Sequence, residues 1–273
     1  MGDVSTAFIE EFDSTVKLAF QREGSLLTNT TRRKTNVAAN KNYFQKIGKG
    51  SATTKGRNGI IPPMNPDHTR AYFTLSDRYA ADYVDDLDDQ KINIDEKQSL
   101  QNTAVYALGR EADQDIIDVL DATSVYAGDA VDGMTKDKIQ EALFDTLLSN
   151  DVPDDQRIVC VLGWKQWSEL MDIPEFKNAD FIGYENMPWI GKHSVKQWLN
   201  ILWIPHSGLS LSSNVRKCHM YHYSAVGHGS GQDIKTEIAW ISEKDSWFVK
   251  AKMSMGACVI DTDGIVTLRC YEA

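Results

Sequence analysis

An α+β fold is predicted by three features of the 273-residue sequence. Two strand-like runs flank a long glycine-rich segment, apolar residues then recur at every fourth position, and from residue 198 onward strand patterns take over. With 42% hydrophobic residues the chain can bury a core, which excludes intrinsic disorder and collagen-like repeats. At roughly 150 residues per domain, it holds one large domain or two intimate ones. No window reaches the roughly 18 uninterrupted apolar residues of a membrane span. The opening MGDVSTAFIEEFDSTVK lacks a basic region followed by an apolar one, so the expectation is a soluble, non-secreted protein. Cys160, Cys218, Cys258 and Cys270 are scattered without a C-x-x-C pair, which fits reduced cytoplasmic thiols better than disulfides or a zinc knuckle.

Residues 5–21 place Phe8, Ile9, Phe12, Val16, Ala19 and Phe20 at helical spacing, whereas 22–42 is polar, basic and nearly aperiodic, as in a short helix followed by an extended arm. Asn42–Ile47 and Thr69–Leu75 read as strands. Between them, Gly48–Gly59 has four glycines and no large apolar residue, and Pro62, Pro63 and Pro66 follow. This pattern predicts a projecting β-hairpin, whose arms reach beyond about 25 Å if each has about eight residues. A lone hairpin is marginally stable in water, so this one needs a surface to lie on, such as that of a neighbouring subunit.

The acidic stretch Asp85-Asp86-Leu87-Asp88-Asp89 precedes Asn93 and Glu96, which have capping-box spacing with Asn in place of Ser/Thr. Leu100, Ala104, Leu108, Ala112, Ile116 and Leu120 then mark a helix of about 27 residues, near 40 Å long at about 1.5 Å per residue, with Glu111 and Asp115 between its apolar rows. Gly128–Gly133 reads as a loop, and Thr135 can cap a second helix bearing Ile139, Ala142, Leu143, Leu147 and Leu148. Arg157–Leu162 reads as a buried strand, and Gly163 opens a short helix with Trp164, Trp167, Leu170 and Met171 on one side, an α/β arrangement. Strands are expected at Trp198–Ile204, Lys217–Tyr223, Thr236–Ile241, Trp247–Met253 and Ala257–Arg269, the last turning as a hairpin at Asp261-Thr262-Asp263-Gly264.

Charge is unevenly distributed. Residues 1–60 carry 10 Lys/Arg against 5 Asp/Glu, and 61–155 carry 7 against 22. The positive charge lies in 22–60, where Arg22, Arg32, Arg33, Lys34, Lys41, Lys46, Lys49, Lys55 and Arg57 face only Glu23. A basic segment before an acidic one is a nucleic-acid tail, a solvated loop, or half of a self-complementary contact between copies. The net charge of −10 argues against a tight sequence-reading nucleic-acid binder.

Catalytic signatures are missing from the sequence. Gly48-Lys49-Gly50-Ser51 lacks both the Ser/Thr after Lys and the upstream Gly of a phosphate loop, and G-x-S-x-G, H-E-x-x-H and G-x-G-x-x-G after a strand do not occur. Cys218–Tyr223 with His228 is the one metal-like constellation. His219 and His222 fall on opposite faces of a strand, so ordinary strand histidines are favoured over a metal-dependent hydrolase using His219, His222 and His228. Asp261 and Asp263 read as turn residues. Met1-Gly2 with Thr6 matches only the bare myristoylation pattern, and Asn29-Thr30-Thr31 is a sequon without a signal peptide. Trp164, Trp167, Trp198, Trp203, Trp240 and Trp247 are expected in the core. No cofactor or metal is expected.

The order of parts, with Asp89-Gln90-Lys91-Ile92-Asn93-Ile94-Asp95, Ala107-Leu108-Gly109-Arg110-Glu111-Ala112-Asp113-Gln114-Asp115-Ile116-Ile117 and Met255–Val266, resembles the major capsid proteins of tailed phages with the Hong Kong 97-like fold, in the phage capsid protein family. Phe8…Glu11-Phe12…Ser25-Leu26-Leu27 adds to the resemblance. It implies an N-terminal arm at 1–36, an extended β-hairpin loop at 37–86, a peripheral domain with a spine helix at 87–122, an axial domain at 123–232 and return strands of the peripheral domain at 233–273. It further implies a non-enzymatic coat protein, made in the host bacterial cytoplasm. Such a protein assembles as pentamers and hexamers into an icosahedral phage head around double-stranded DNA, without sequence-specific binding or a membrane. Scaffold, portal and decoration proteins are the further partners such a head brings. Inter-subunit contacts are expected at Arg32, Arg33, Lys34, Lys46, Lys49, Lys55, Arg57, Asp85, Asp86, Asp88, Asp89 and Glu111. Some members of the fold cross-link a loop Lys to an Asn beside an acid; Lys46, Lys49 and Lys55 lie in that loop, but no Asn or acid matches, so no such activity is assigned. The rival reading is a cellular nanocompartment shell, distinguished by enzyme cargo in place of DNA.

Overall fold

The computed structural model describes residues 22, 24–86, 96–177 and 195–272. The helix expected over 5–21, the first residues expected of the long helix, and Asp88 and Asp89 lie outside them.

In chain order the strands are β1 (Arg32–Lys34), β2 (Lys41–Ile47), β3 (His68–Thr74), β4 (Ser76–Asp85), β5 (Tyr126–Ala127), β6 (Ile158–Leu162), β7 (Lys196–Trp198), β8 (Ile201–Pro205), β9 (Leu211–Ser212), β10 (Val215–His222), β11 (Val226–Ile241), β12 (Ser246–Val259) and β13 (Ile265–Tyr271). The helices are α1 (Glu96–Asp121), α2 (Lys136–Gln140), α3 (Trp164–Asp172) and α4 (Pro174–Lys177). Three sheets result: β1-β11-β12-β4, the hairpin β2-β3, and β5-β13-β10-β6-β8-β7 with β9 on β10.

The chain divides into two compact units. Described parts of Met1–Ser25, Asp77–Glu111 and Gln232–Ser254 make the first; those of Leu26–Ser76, Ala112–Gly231 and Met255–Ala273 make the second. In the first, Val84, Ala104, Leu108, Val249, Ala251 and Met253 are buried. The Tyr83 and Phe248 rings lie 4.8 Å apart, and the Lys97 ammonium sits 4.5 Å from the Trp247 ring centre. In the second, every residue of β6 is buried. Ile116, Ile117 and Leu120 of α1 join that core with Leu147, Trp167, Trp203 and Tyr221. The four-residue period therefore marks a buried stripe along α1, as expected for a helix that packs by one face.

Thr135 caps α2 as expected, accepting from the Lys138 N–H at 3.4 Å. The helix does not continue in α form, however. Glu141–Leu147 is π-helical and Leu148–Asn150 is a 3-10 turn, ended by Asp151 in the left-handed region at φ 63°. The single strand expected over 198–204 is two strands, because Leu199 and Asn200 both take positive φ (53° and 58°) and fold β7 antiparallel onto β8. The hairpin expected at 261–264 is a corner. Asp261 accepts from the Asp263 N–H at 3.2 Å, one 3-10 turn follows, and the flanking strands enter different sheets, β12 beside β11 and β4, β13 beside β10 and β5. Trp164 and Trp240 are exposed instead of core, whereas Trp167, Trp198 and Trp203 are buried.

Candidate inter-subunit surface

The hairpin pairs as expected, from Lys41↔Thr74 to Ile47↔His68. Its base is seated within the second unit by Phe44 and Phe73, which pack with Val37 and Cys258 at a ring separation of 5.4 Å. Two glycines create the seat. A Cβ on Gly229 would overlap the Phe73 ring, and one on Gly256 would collide with the Thr74 carbonyl oxygen, so backbone and aromatic ring approach more closely than a side chain permits. Beyond the seat the loop is exposed and bears apolar groups: Ile47 is 63% exposed, Ile60 93%, Ile61 69% and Met64 53%. Large apolar side chains grouped in water on one loop are the mark of an interaction surface.

Two loop lysines bind the same unit. Lys46 lies 2.6 Å from Asp261, and Lys49 donates to the Asp151 carboxylate at 2.7 Å and the Asn150 carbonyl at 3.2 Å. The Lys49–Asp151 hydrogen bond raises the ammonium pKa above its ordinary value and lowers that of the carboxyl. Lys55 and Arg57 are exposed in the tip. Arg32, Arg33 and Lys34 are all exposed on β1, which runs parallel to Gly227–Gly229 of β11. They line a depression of about 390 Å³ with Tyr43, Phe44 and Gln45 of β2. There the Arg32 guanidinium stands 5.6 Å from the Phe44 ring centre, and Lys34 donates to the Asn42 side chain at 2.7 Å. On the acidic side, Asp85 is exposed, Asp86 is half-buried, and Glu111 is ion-paired with Arg78 of its own unit.

The strand histidines have separate partners. His219 donates through Nε2 to Asp121 at 2.9 Å, with Nδ1 3.1 Å from the Thr267 hydroxyl. His222 donates through Nε2 to Asp155 at 2.9 Å, with Nδ1 2.7 Å from the Ser224 hydroxyl. His228 is buried. Among the described residues, no three His, Cys, Asp or Glu groups are placed to hold a metal ion. Sequence reasoning missed Asp113. Fully buried on α1, it accepts from the Leu26 and Leu27 N–H groups, both at 3.0 Å, and from His206 Nε2 at 3.2 Å. Since His206 Nδ1 accepts from the Gly208 N–H at 3.0 Å, the ring proton sits on Nε2. Asp113 thus fastens Leu26 and Leu27 to α1. The sequence clue was an acid next to the apolar Ala112 on the four-spaced row.

The phage capsid protein family matches residues 4–272, and the chain belongs to it. Many solved structures share the fold, three of them as follows. The structure from Mycobacterium phage Che8 is 18% identical, with TM-score 0.73 over 96% of this chain and 97% of its own. The capsid of the cyanophage P-SCSP1u is 17% identical, with TM-score 0.72 over 98% and 93%. The capsid of Ralstonia phage GP4 is 11% identical, with TM-score 0.71 over 100% and 98%. No curated protein matches the chain by sequence. The family makes this a structural protein of the phage head shell, built from many copies of itself.

Proposed function

We propose that the chain assembles as pentamers and hexamers into an icosahedral head that encloses double-stranded DNA without reading its sequence, and that it acts there without catalysis. The observation that carries this reading is the exposed loop bearing Ile47, Ile60, Ile61 and Met64, apolar groups that gain stability only when another molecule covers them. In this reading residues 1–36 are the arm and 37–86 the extended loop laid on a neighbour. Residues 87–122 carry the spine, 123–232 form the axial domain, and 233–273 return to the peripheral domain. Synthesis in the host cytoplasm fits the four buried, free cysteines. Substituting Ile60→Asp with Ile61→Asp tests the reading. Unassembled subunits should keep their circular dichroism and denaturation midpoint while the yield of sedimenting particles collapses. Normal particle yield would remove the loop from the assembly contact.

A further inference from the structure

The four-stranded sheet ends on two strands of opposite charge. Its order, β1-β11-β12-β4, places Arg32-Arg33-Lys34 at one edge and β4 at the other, with two strands between them. β4 exposes Asp77, Asp82 and Asp85 along ten residues, and Asp86 follows directly. An exposed edge strand is a template for pairing with another chain. Charges of opposite sign select the partner and its register. Every copy carries both strands, so the basic strand of one copy is matched in charge to the acidic strand of another.

We propose that the depression lined by Arg32, Arg33, Lys34 and the β2 residues Tyr43–Gln45 receives the acidic end of β4, Asp82, Asp85 and Asp86, from a neighbouring copy. The inference rests on self-assembly as read above and supplies one of its contacts. The chemistry suits a carboxylate-bearing strand. Guanidinium groups form forked hydrogen bonds with carboxylates, and the Phe44 face beside Arg32 holds that guanidinium in place. The contact is heterologous, joining two different surfaces, so it repeats head to tail until a ring closes. That is the symmetry a capsomer needs. Nucleic-acid phosphate would satisfy the same cations. The 22 acidic residues over 61–155 favour a protein partner, since every neighbouring copy brings them.

Charge reversal in both strands tests the proposal. One variant carries Arg32→Glu, Arg33→Glu and Lys34→Glu, a second carries Asp82→Lys, Asp85→Lys and Asp86→Lys, and a third carries all six. Each triple variant is expected to lower particle yield by about tenfold or more with the denaturation midpoint of free subunits unchanged. The sixfold variant is expected to return to within about threefold of the wild type. Where a triple reversal unfolds the subunit, Arg33→Glu and Asp85→Lys, alone and together, are read in the same way. The pairing is overturned if either triple variant assembles normally, or if the combination restores nothing. It is also overturned if the basic-strand variant forms normal shells that hold less nucleic acid. Wild-type protein that forms shells while the combination fails indicts the edge pairing alone; wild-type protein that forms none indicts the shell reading as well.

Discussion

Leu108 is almost fully buried and Ile116 is completely so, and truncating either to Ala removes methylene groups from a packed surface and leaves a cavity. Each should lower stability by about 2–5 kcal/mol in chemical denaturation of unassembled subunits. Glu111→Ala should cost about 1 kcal/mol or less, because its pair with Arg78 is partly solvated. Asp113→Ala is a sharper case. It strips the acceptor from two backbone N–H groups and from His206, and should cost about 2–5 kcal/mol despite removing few apolar contacts. Two further carboxyls contribute to acid sensitivity. Burial alone would raise the Asp121 pKa, but hydrogen bonds from His219 and Ser210 and the charges of His219 and Lys217 lower it below the usual carboxylate range. Asp155 is lowered chiefly by its bond to His222. A carboxyl depressed on folding stabilises the native state above its unfolded pKa, about 3.9. That contribution is lost as pH falls through the lower folded value, so the denaturation midpoint of free subunits should hold down to about pH 5 and drop below about pH 4. A midpoint indifferent to acid would show these pairs to be energetically idle.

At the scale of elements, the hairpin is built in two parts with different jobs. Deleting Gly48–Gly59 should leave a folded subunit that cannot assemble, since that tip adds no large apolar group to its own core. Gly256→Val attacks the seat instead. Its side chain must displace the Thr74 backbone, so loosening of β2–β3 should appear as faster hydrogen exchange at Phe44 and Phe73. Unchanged protection there would show that the seat does not depend on this close approach. The sequence made β2, β3, α1 and β6 legible because each carries its own apolar period or an unbroken apolar run. It concealed β1 and β4, whose side chains are mostly exposed and whose strand state comes from pairing with residues distant in the chain. The first half of β11, Gly227-His228-Gly229-Ser230-Gly231, has loop composition, yet its small residues are there to admit Phe44 and Phe73. At 199–200, a turn inside an apolar run left only Asn200 as a signal. At 261–264, Asp-Thr-Asp-Gly marks a chain reversal, but composition does not say which sheet the next strand joins, so the expected hairpin is a corner. Of the candidate surface, the loop and basic strand were readable from composition and charge, whereas the Asp113 fastening required a contact across 87 positions of chain.

For the whole molecule, a shell demands one subunit that meets copies of itself through unlike surfaces. The family assignment over residues 4–272 and the exposed apolar loop both lead there. If the ionic edges pair neighbouring copies as proposed, raising salt should slow assembly while leaving free subunits folded, because screening acts on the exposed ionic edges and spares the buried core. Light scattering during assembly, with circular dichroism in parallel, reads both effects, and salt-independent assembly would remove the ionic edges from the account. The most direct measurement is electron microscopy of the purified, expressed protein together with the other head proteins of its virion. The account predicts closed shells with fivefold and sixfold clusters of this chain. A persistent, monodisperse monomer under those conditions would contradict it.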